Sequence, residues 1–170
     1  MNLRLTNFYM SLADECAKMS RAVRLQVGAV IIKDDNILSF GWNGTPKGWS
    51  NICEEKYWCP DTQSLDTLEN IVEYPLEGQY IDQQGRELKG RYRLVTKPEV
   101  LHAEMNALMK LTKSTYSSDN ASIFVTHAPC FECAKGIYQS GIKHLYYRNV
   151  YRTDHGLNFL QQCEVSVSKI

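Results

Sequence analysis

The chain has 170 residues, of which 44% are hydrophobic and 22% are charged. This composition predicts one folded domain covering residues 1–170 and excludes a disordered or fibrous chain. Because 19 basic residues balance 19 acidic residues, no strong positive field favours nucleic acid as a partner. No apolar run approaches the ~20 residues that span a bilayer, and the amino-terminal segment lacks the apolar block of a secretory signal, so we expect a cytoplasmic protein without membrane contact.

The first third of the chain predicts a helix and then a β-hairpin. Apolar residues recur at helical spacing from Leu5 to Met19, with Thr6 and Asn7 as possible caps. A β-branched run at 27–32, a turn at 34–36 and a second apolar run at 37–41 predict the hairpin. Proline and glycine then interrupt residues 54–98 without sustained periodicity, which predicts an irregular insertion.

The rest of the chain predicts alternating helices and strands. Pro98 has the position of a first helical residue, and the apolar residues after it predict a helix that continues through Leu111. Further strands are expected at 122–126, 144–147 and 164–167, and further helices at 129–141, with Gly141 as its cap, and at 156–162. This order predicts a three-layer α/β/α sandwich with a mixed sheet of about five strands.

Two of the predicted helix starts carry residues suited to a catalytic metal. His102 and Glu104 fall in the first turns of one helix, and Cys130 and Cys133 share one face of the first turn of another. The helix dipole favours thiolates there. One imidazole and two thiolates give Zn²⁺ three protein ligands, and a catalytic site keeps the fourth position for water. We therefore predict one catalytic zinc per chain, with Glu104 taking the proton of the water.

An isolated CxxC pattern indicates a redox pair or half of a structural zinc site as readily as it indicates a catalytic metal site. The combination of HAE at 102–104 with PCxxC at 129–133 favours a zinc deaminase, because zinc deaminases carry an HxE…PCxxC pattern.

Three segments together carry a resemblance to one family. They read QVGAV at 26–30, GWNGTP at 41–46 and HAEMNA at 102–107, and they resemble deoxycytidylate (dCMP) deaminases of the bacterial and phage type, within the cytidine deaminase superfamily. The similarity covers residues 5–50 and 100–170 and leaves the insertion unmatched. It implies a cytidine deaminase-like fold and the hydrolysis of dCMP to dUMP and ammonia, which supplies dUMP for thymidylate synthesis. Glu104 would carry protons to N3 of the cytosine and to the departing amine.

The resemblance also implies how the substrate binds. Asn43 matches an asparagine that holds the sugar, and the backbone of Ala103 is expected at the pyrimidine edge. Tyr151 matches a tyrosine at the nucleotide, and Arg24 matches a recurring basic residue. A plain turn is the alternative for Asn43, and surface positions are the alternative for Arg24 and Tyr151.

Regulation and assembly are implied in the same way. Family members with this type of loop are activated by dCTP and inhibited by dTTP, both bound with Mg²⁺. The resemblance therefore makes Gly41, Trp42, Asn43 and Gly44 a candidate allosteric nucleotide site, with a plain hairpin-end turn as the alternative. Related enzymes are often hexamers, so we expect a homo-oligomer.

Some relatives hold a second, structural zinc. Cys16, Cys53 and Cys59 are available here, but the insertion contains no histidine, so buried or idle thiols are the favoured interpretation. The remaining histidines, His127, His144 and His155, are expected to be structural or on the surface.

Two other functions compete with dCMP deamination. A deaminase acting on tRNA or single-stranded DNA needs a positive track and stacking surfaces, against which the zero net charge and the GWNGTP segment weigh. A non-catalytic zinc-binding module would have no use for Glu104.

Overall fold

Four helices and eight strands follow one another in the part of the chain that the computed structural model describes, which is residues 2–59, 71–73 and 91–170, with side chains for 2–57 and 94–170. In chain order they are α1 (Leu3–Lys18), β1 (Gly28–Lys33), β2 (Asn36–Trp42), β3 (Glu54–Cys59), β4 (Ile71–Glu73), β5 (Arg91–Thr96), α2 (Ala103–Leu111), β6 (Ser122–His127), α3 (Phe131–Gln139), β7 (His144–Asn149), α4 (His155–Gln162) and β8 (Ser166–Lys169).

A mixed five-stranded sheet in the order β2-β1-β6-β7-β8 forms the centre of the fold. Strand β1 runs antiparallel to β2 and β6, whereas β6, β7 and β8 are mutually parallel neighbours. The predicted hairpin is confirmed and closes tightly, because Asp34 and Asp35 both adopt positive φ, at 49° and 59°, as a two-residue hairpin turn requires.

Helices cover both faces of this sheet, which confirms the predicted three-layer sandwich. Alternate residues of β1 point to opposite faces, so Val30 and Ile32 pack against α1 while Ala29 and Ile31 pack against the face that carries the other three helices. The apolar periodicity of α1 is confirmed as well, although the helix begins at Leu3 with Asn2 as its cap. None of the helices in the described ranges is long and apolar enough to cross a membrane.

The ends of the insertion form a second sheet, in the order β3-β5-β4. The expectation of irregular structure is therefore wrong for these strands, because their pairing joins residues far apart in the chain and leaves no local signal except a short alternation of basic and apolar residues in β5. Residues 60–70 and 74–90 of the insertion lie outside the described part of the chain.

Helix α2 begins five residues later than Pro98 predicts. Gly44 and Leu101 exchange two backbone hydrogen bonds, of 3.1 and 2.9 Å, which keep the chain extended up to His102. As a result His102 is the cap of α2 and not a residue within its first turn. The end of α3 is as predicted, since Gly141 follows it with a φ of +80°.

Candidate active site

The amino termini of α2 and α3 meet at one end of the five-stranded sheet. His102 caps α2 and Cys130 caps α3, both with extended backbone, and neither side chain is used to cap its own helix. The ligand atoms of His102, Cys130 and Cys133 all lie within 4.8 Å of one another. The fold therefore brings together the three residues that the sequence nominated, from positions 28 and 31 residues apart.

The imidazole of His102 presents Nδ1 to both sulfurs. Nδ1 lies 3.5 Å from Sγ of Cys130 and 3.3 Å from Sγ of Cys133. In the ranges with described side chains this is the one group of three or more His, Cys, Asp or Glu residues suited to a metal ion. One nitrogen and two sulfurs fit the preference of Zn²⁺ and leave room for a fourth ligand.

The pKa values of the two thiols, Cys130 and Cys133, are shifted in opposite directions. A hydrogen bond from Cys133, together with one from His102, lowers the pKa of Cys130 to about 4. The hydrogen bond to Cys130 and burial raise the pKa of Cys133 above its usual range. Cys130 is therefore the thiolate of the pair, and a cation between the two sulfurs would stabilise negative charge on both.

Glu104 lies next to this cluster in the first turn of α2. Its side chain is only 4% exposed, and burial raises its pKa to about 7, while the nearby His102 acts to lower it. A carboxyl group with a pKa near neutrality can both accept and donate a proton at physiological pH. The site thus combines soft metal ligands with one acid–base group.

A cleft of about 540 Å³, a volume that includes the solvent at its mouth, opens onto the cluster. The cleft is lined by the candidate metal ligands His102 and Cys130, by Glu104, and by every residue predicted to bind substrate. Its lining consists of Arg24, Leu25, Val27, Asn43, Glu54, Thr96, Val100, His102, Ala103, Glu104, His127, Ala128, Cys130 and Tyr151.

Asn43 shapes the wall of this cleft. Its Oδ1 accepts the backbone N–H of Val27 at 2.8 Å, and its Nδ2 donates to the carbonyl of Leu25 at 2.8 Å. A side-chain amide has two N–H bonds, and in the described part of the chain only one of those of Asn43 has a partner, so the other can serve a ligand.

The other residues of the candidate allosteric loop also have structural contacts. Gly41 is buried beneath α2, where an added Cβ would lie 2.4 Å from the carbonyl oxygen of Ala103. The amine of Lys110 lies 4.4 Å from the ring centroid of Trp42, and Gly44 forms the bridge to Leu101. A regulatory role for the loop stays a prediction.

Residues 4–149 match the model of the cytidine and deoxycytidylate deaminase zinc-binding region. The chain belongs to this family. The deoxycytidylate deaminase of enterobacteria phage T4 is 31% identical over 78% of the chain and 71% of the phage protein, and ComE operon protein 2 of Bacillus subtilis is 28% identical over 96% and 69%. The crystal structure of the dCMP deaminase of cyanophage S-TIM5 with dCMP and dUMP matches 100% of this chain and 99% of the phage chain, at 36% identity and a TM-score of 0.76.

Sequence reasoning missed three polar residues in the cleft of this zinc-deaminase family member. Glu54 and Thr96 come from the insertion, where no pattern singled them out. His127 was assigned to structure or surface, but it lines the cleft, with Nδ1 3.2 Å from Oγ1 of Thr126, and burial lowers its pKa. Its position at the end of a strand, three residues before Cys130, was the available signal.

Proposed function

We propose that this chain deaminates dCMP to dUMP and ammonia, with His102, Cys130 and Cys133 holding Zn²⁺ and Glu104 moving the protons. The observation that carries the proposal is the buried carboxyl of Glu104 beside three candidate metal ligands at one cleft. Similarity along the whole chain to a solved deaminase that binds dCMP and dUMP supports the choice of substrate.

Zinc, when bound, supplies a Lewis acid that makes a water molecule at the open fourth position more acidic. Glu104 takes one proton of the water and gives it to N3 of the cytosine, while the water oxygen bonds to C4. Glu104 then carries the second proton of that oxygen to the amino group, which leaves as ammonia, and C4 becomes a carbonyl. A pKa of about 7 suits Glu104 to both transfers.

The opposite part of the cleft binds the sugar and phosphate. Arg24 offers its guanidinium to the phosphate, since among the described contacts only its Nη1 has a side-chain partner, Oγ1 of Thr96 at 3.1 Å. The free N–H of Asn43 contacts the sugar, the backbone of Ala103 contacts the pyrimidine edge, and Tyr151 packs at the nucleotide.

A substrate comparison at fixed salt tests this function. We expect the zinc-loaded protein to release ammonia from dCMP faster than from cytidine, dCTP or a short RNA, because Arg24 would contact a single 5′-phosphate in the cleft. Preference for the RNA would favour the nucleic-acid deaminases, and no turnover by zinc-loaded protein would favour a non-catalytic module.

Control by nucleoside triphosphates extends the same proposal. dCTP and dTTP, each with Mg²⁺, bind at the loop formed by Gly41, Trp42, Asn43 and Gly44, where the amine of Lys110 adds a positive charge. We propose that the protein is a homo-oligomer, a hexamer, with two states. Each triphosphate must prefer a different state, because a ligand with equal affinity for both does not shift the equilibrium between them.

Initial rates against dCMP concentration, measured with and without each triphosphate, test this control, and sedimentation gives the oligomeric state. Activation by dCTP and inhibition by dTTP are expected. Rate curves that neither triphosphate moves would contradict it.

A further inference from the structure

Helix α2 meets β2 through residues with very small side chains. The carbonyl of Ala103 and the backbone nitrogen of Ala107 lie so close to Gly41 that a Cβ there would overlap both, and the two alanines are fully buried. Large side chains that interlock fix the orientation of packed elements, whereas this contact is made by glycine and alanine. It therefore allows a close approach but opposes rotation of α2 about its own axis only weakly.

Three hydrogen bonds from a side chain to a backbone carbonyl join the two elements in the described part of the chain. They run from Nδ2 of Asn106 to Trp42 at 2.9 Å, from Oγ of Ser39 to Ala107 at 2.7 Å and from Nζ of Lys110 to Phe40 at 3.1 Å. Lys110 lies in the last turn of α2, and its bond is exposed. Asn106 is thus the residue that holds the strand from the first turn, where Glu104 lies.

Asn106 and Glu104 lie on opposite flanks of the contact with β2. Successive residues of a helix are rotated by about 100° about its axis, so Ala103 and Ala107 share the side that faces the strand. Glu104 follows on one flank of that side, and Asn106 lies on the other. A rotation that takes Asn106 away from Trp42 therefore moves Glu104 as well.

A small rotation is enough to affect catalysis. Side-chain ends lie about 6 Å from the axis of a helix, so a rotation of about 10° moves the carboxyl group of Glu104 by about 1 Å. A misplacement of about 1 Å can lower the rate of a reaction about 100-fold. The bond of Ser39 to Ala107 opposes such a rotation less, because it lies at the contact itself, where rotation displaces atoms least.

The backbone of Asn106 links the same residue to a candidate metal ligand. Its N–H donates to the carbonyl of His102 at 2.9 Å, while its side chain donates to the carbonyl of Trp42. One residue thus connects the start of the helix that carries Glu104 to the edge strand of the central sheet.

We propose that Asn106 is a positioning residue of the reaction, whose amide fixes the rotation of α2 on β2 and thereby holds Glu104 and His102 in place. This inference rests on the proposed deamination of dCMP. It gives a role to a residue of the HAEMNA segment that is neither a metal ligand nor the acid–base group.

Two variants of Asn106 test this role by steady-state kinetics on dCMP. Asn106→Asp keeps the shape of the side chain but replaces the donor by an acceptor, and Asn106→Ala removes the amide. We expect kcat to fall about 10- to 100-fold in both, because Glu104 acts in the chemical step. KM should stay within about threefold of the parent, because Ala103 lies at the contact, where a rotation moves it least.

The affinity for zinc gives a second readout that does not depend on turnover. Competition with a chelator measures the zinc dissociation constant of each variant. We expect it to rise about tenfold in Asn106→Asp, because loss of a group that orients a metal ligand weakens the metal site. The added negative charge of the aspartate would by itself act in the opposite direction.

Ser39→Ala is the matched control. It removes a bond of the same kind between the same two elements, and Ser39 is 8% exposed. The control should keep both kcat and the zinc dissociation constant within about threefold of the parent. Asn106→Asp preserves the side-chain volume, so the test survives if Asn106→Ala fails to fold.

A folded Asn106→Asp variant with kcat or a zinc dissociation constant within about threefold of the parent would overturn the inference. Equal losses in Ser39→Ala would overturn it as well, because they would indicate a general loosening of α2. If the parent did not turn over dCMP, the proposed function would fail and the role of Asn106 in that reaction with it. Turnover by the parent with unaltered variants would remove only the role of Asn106.

Discussion

Glu104 is almost completely buried, yet its proposed task requires it to change protonation state twice in each turnover. Glu104→Gln removes the titrating group and leaves His102, Cys130 and Cys133 in place. We expect the variant to retain one zinc per chain while kcat falls by about 10²- to 10⁴-fold. Metal analysis and steady-state kinetics measure the two quantities. Activity within about tenfold of the parent, equivalent to ~1.4 kcal/mol of barrier, would exclude Glu104 as the acid–base group.

Glu104 also makes the stability of the metal-free protein depend on pH. Burial raises its pKa from 4.5 to about 7, so the folded chain holds this proton more tightly than the unfolded chain. As the pH rises, the unfolded carboxyl ionises freely whereas the folded one ionises against burial, and the parent loses stability. Glutamine does not titrate, so the free energy of unfolding of Glu104→Gln should rise relative to that of the parent as the pH increases. The difference between variant and parent should increase by about 2 kcal/mol from about pH 5 to about pH 8.

Urea unfolding of parent and variant in chelator, at both pH values, measures this difference. A difference in unfolding free energy that does not change with pH would contradict the burial of an ionisable carboxyl at this position.

Cys130 supplies the more acidic sulfur of the candidate metal cluster. Cys130→Ser replaces a thiolate by a hydroxyl, a poor ligand for zinc, so zinc content and deaminase activity should be lost together. Cys163→Ser is the control, because Cys163 is a half-buried free thiol at the end of α4 and should leave both unchanged. Full zinc occupancy in Cys130→Ser would show that the metal binds elsewhere.

At the scale of elements, the close packing of β2 under α2 sets the position of the catalytic helix. A Cβ on Gly41 would lie 2.4 Å from the carbonyl oxygen of Ala103 and 2.6 Å from the backbone nitrogen of Ala107, so strand and helix would have to separate. We expect Gly41→Ala to destabilise the fold by about 1–3 kcal/mol. It should also lower kcat, because Glu104 begins the same helix.

Gly44→Ala is the matched control three residues along the chain, since a Cβ there meets no atom within 4 Å. Unfolding midpoints of the two variants make the comparison. Equal midpoints for Gly41→Ala and the parent would mean that α2 can shift without penalty.

The elements and site residues that local patterns encode were predictable. The 3.6-residue period of α1, the β-branched run of β1 and the CxxC spacing at the start of α3 all act within a few residues. The start of α2 was not predictable, because the bridge between Gly44 and Leu101 overrides the helix signal of Pro98. Glu54 was missed for the same reason, since its place in the cleft depends on pairing with Thr96, 42 positions away.

At the scale of the whole molecule, the metal site joins two helices that begin far apart in the chain. A zinc ion that binds the three ligands only in the folded chain stabilises the fold by mass action. Chelation should therefore lower the melting temperature of the parent and of Glu104→Gln, which keeps the ligands. The melting temperature of Cys130→Ser should not change on chelation. Calorimetry with and without chelator measures the shifts. If the melting temperature of the parent were the same with and without chelator, its folding would not be coupled to metal binding.

The pairing of Glu54 with Thr96 means that the insertion leaves the cleft wall and returns to it at one place. Because Glu54 and Thr96 are neighbours in the pairing of β3 with β5, this pairing and not the length of the intervening segment sets the distance between the two ends of the segment. Closing a longer chain segment adds only about 0.6 kcal/mol for each doubling of its length. A reporter peptide or a further binding module inserted between β3 and β4 should consequently leave Glu54 and Thr96 paired in the wall of the cleft.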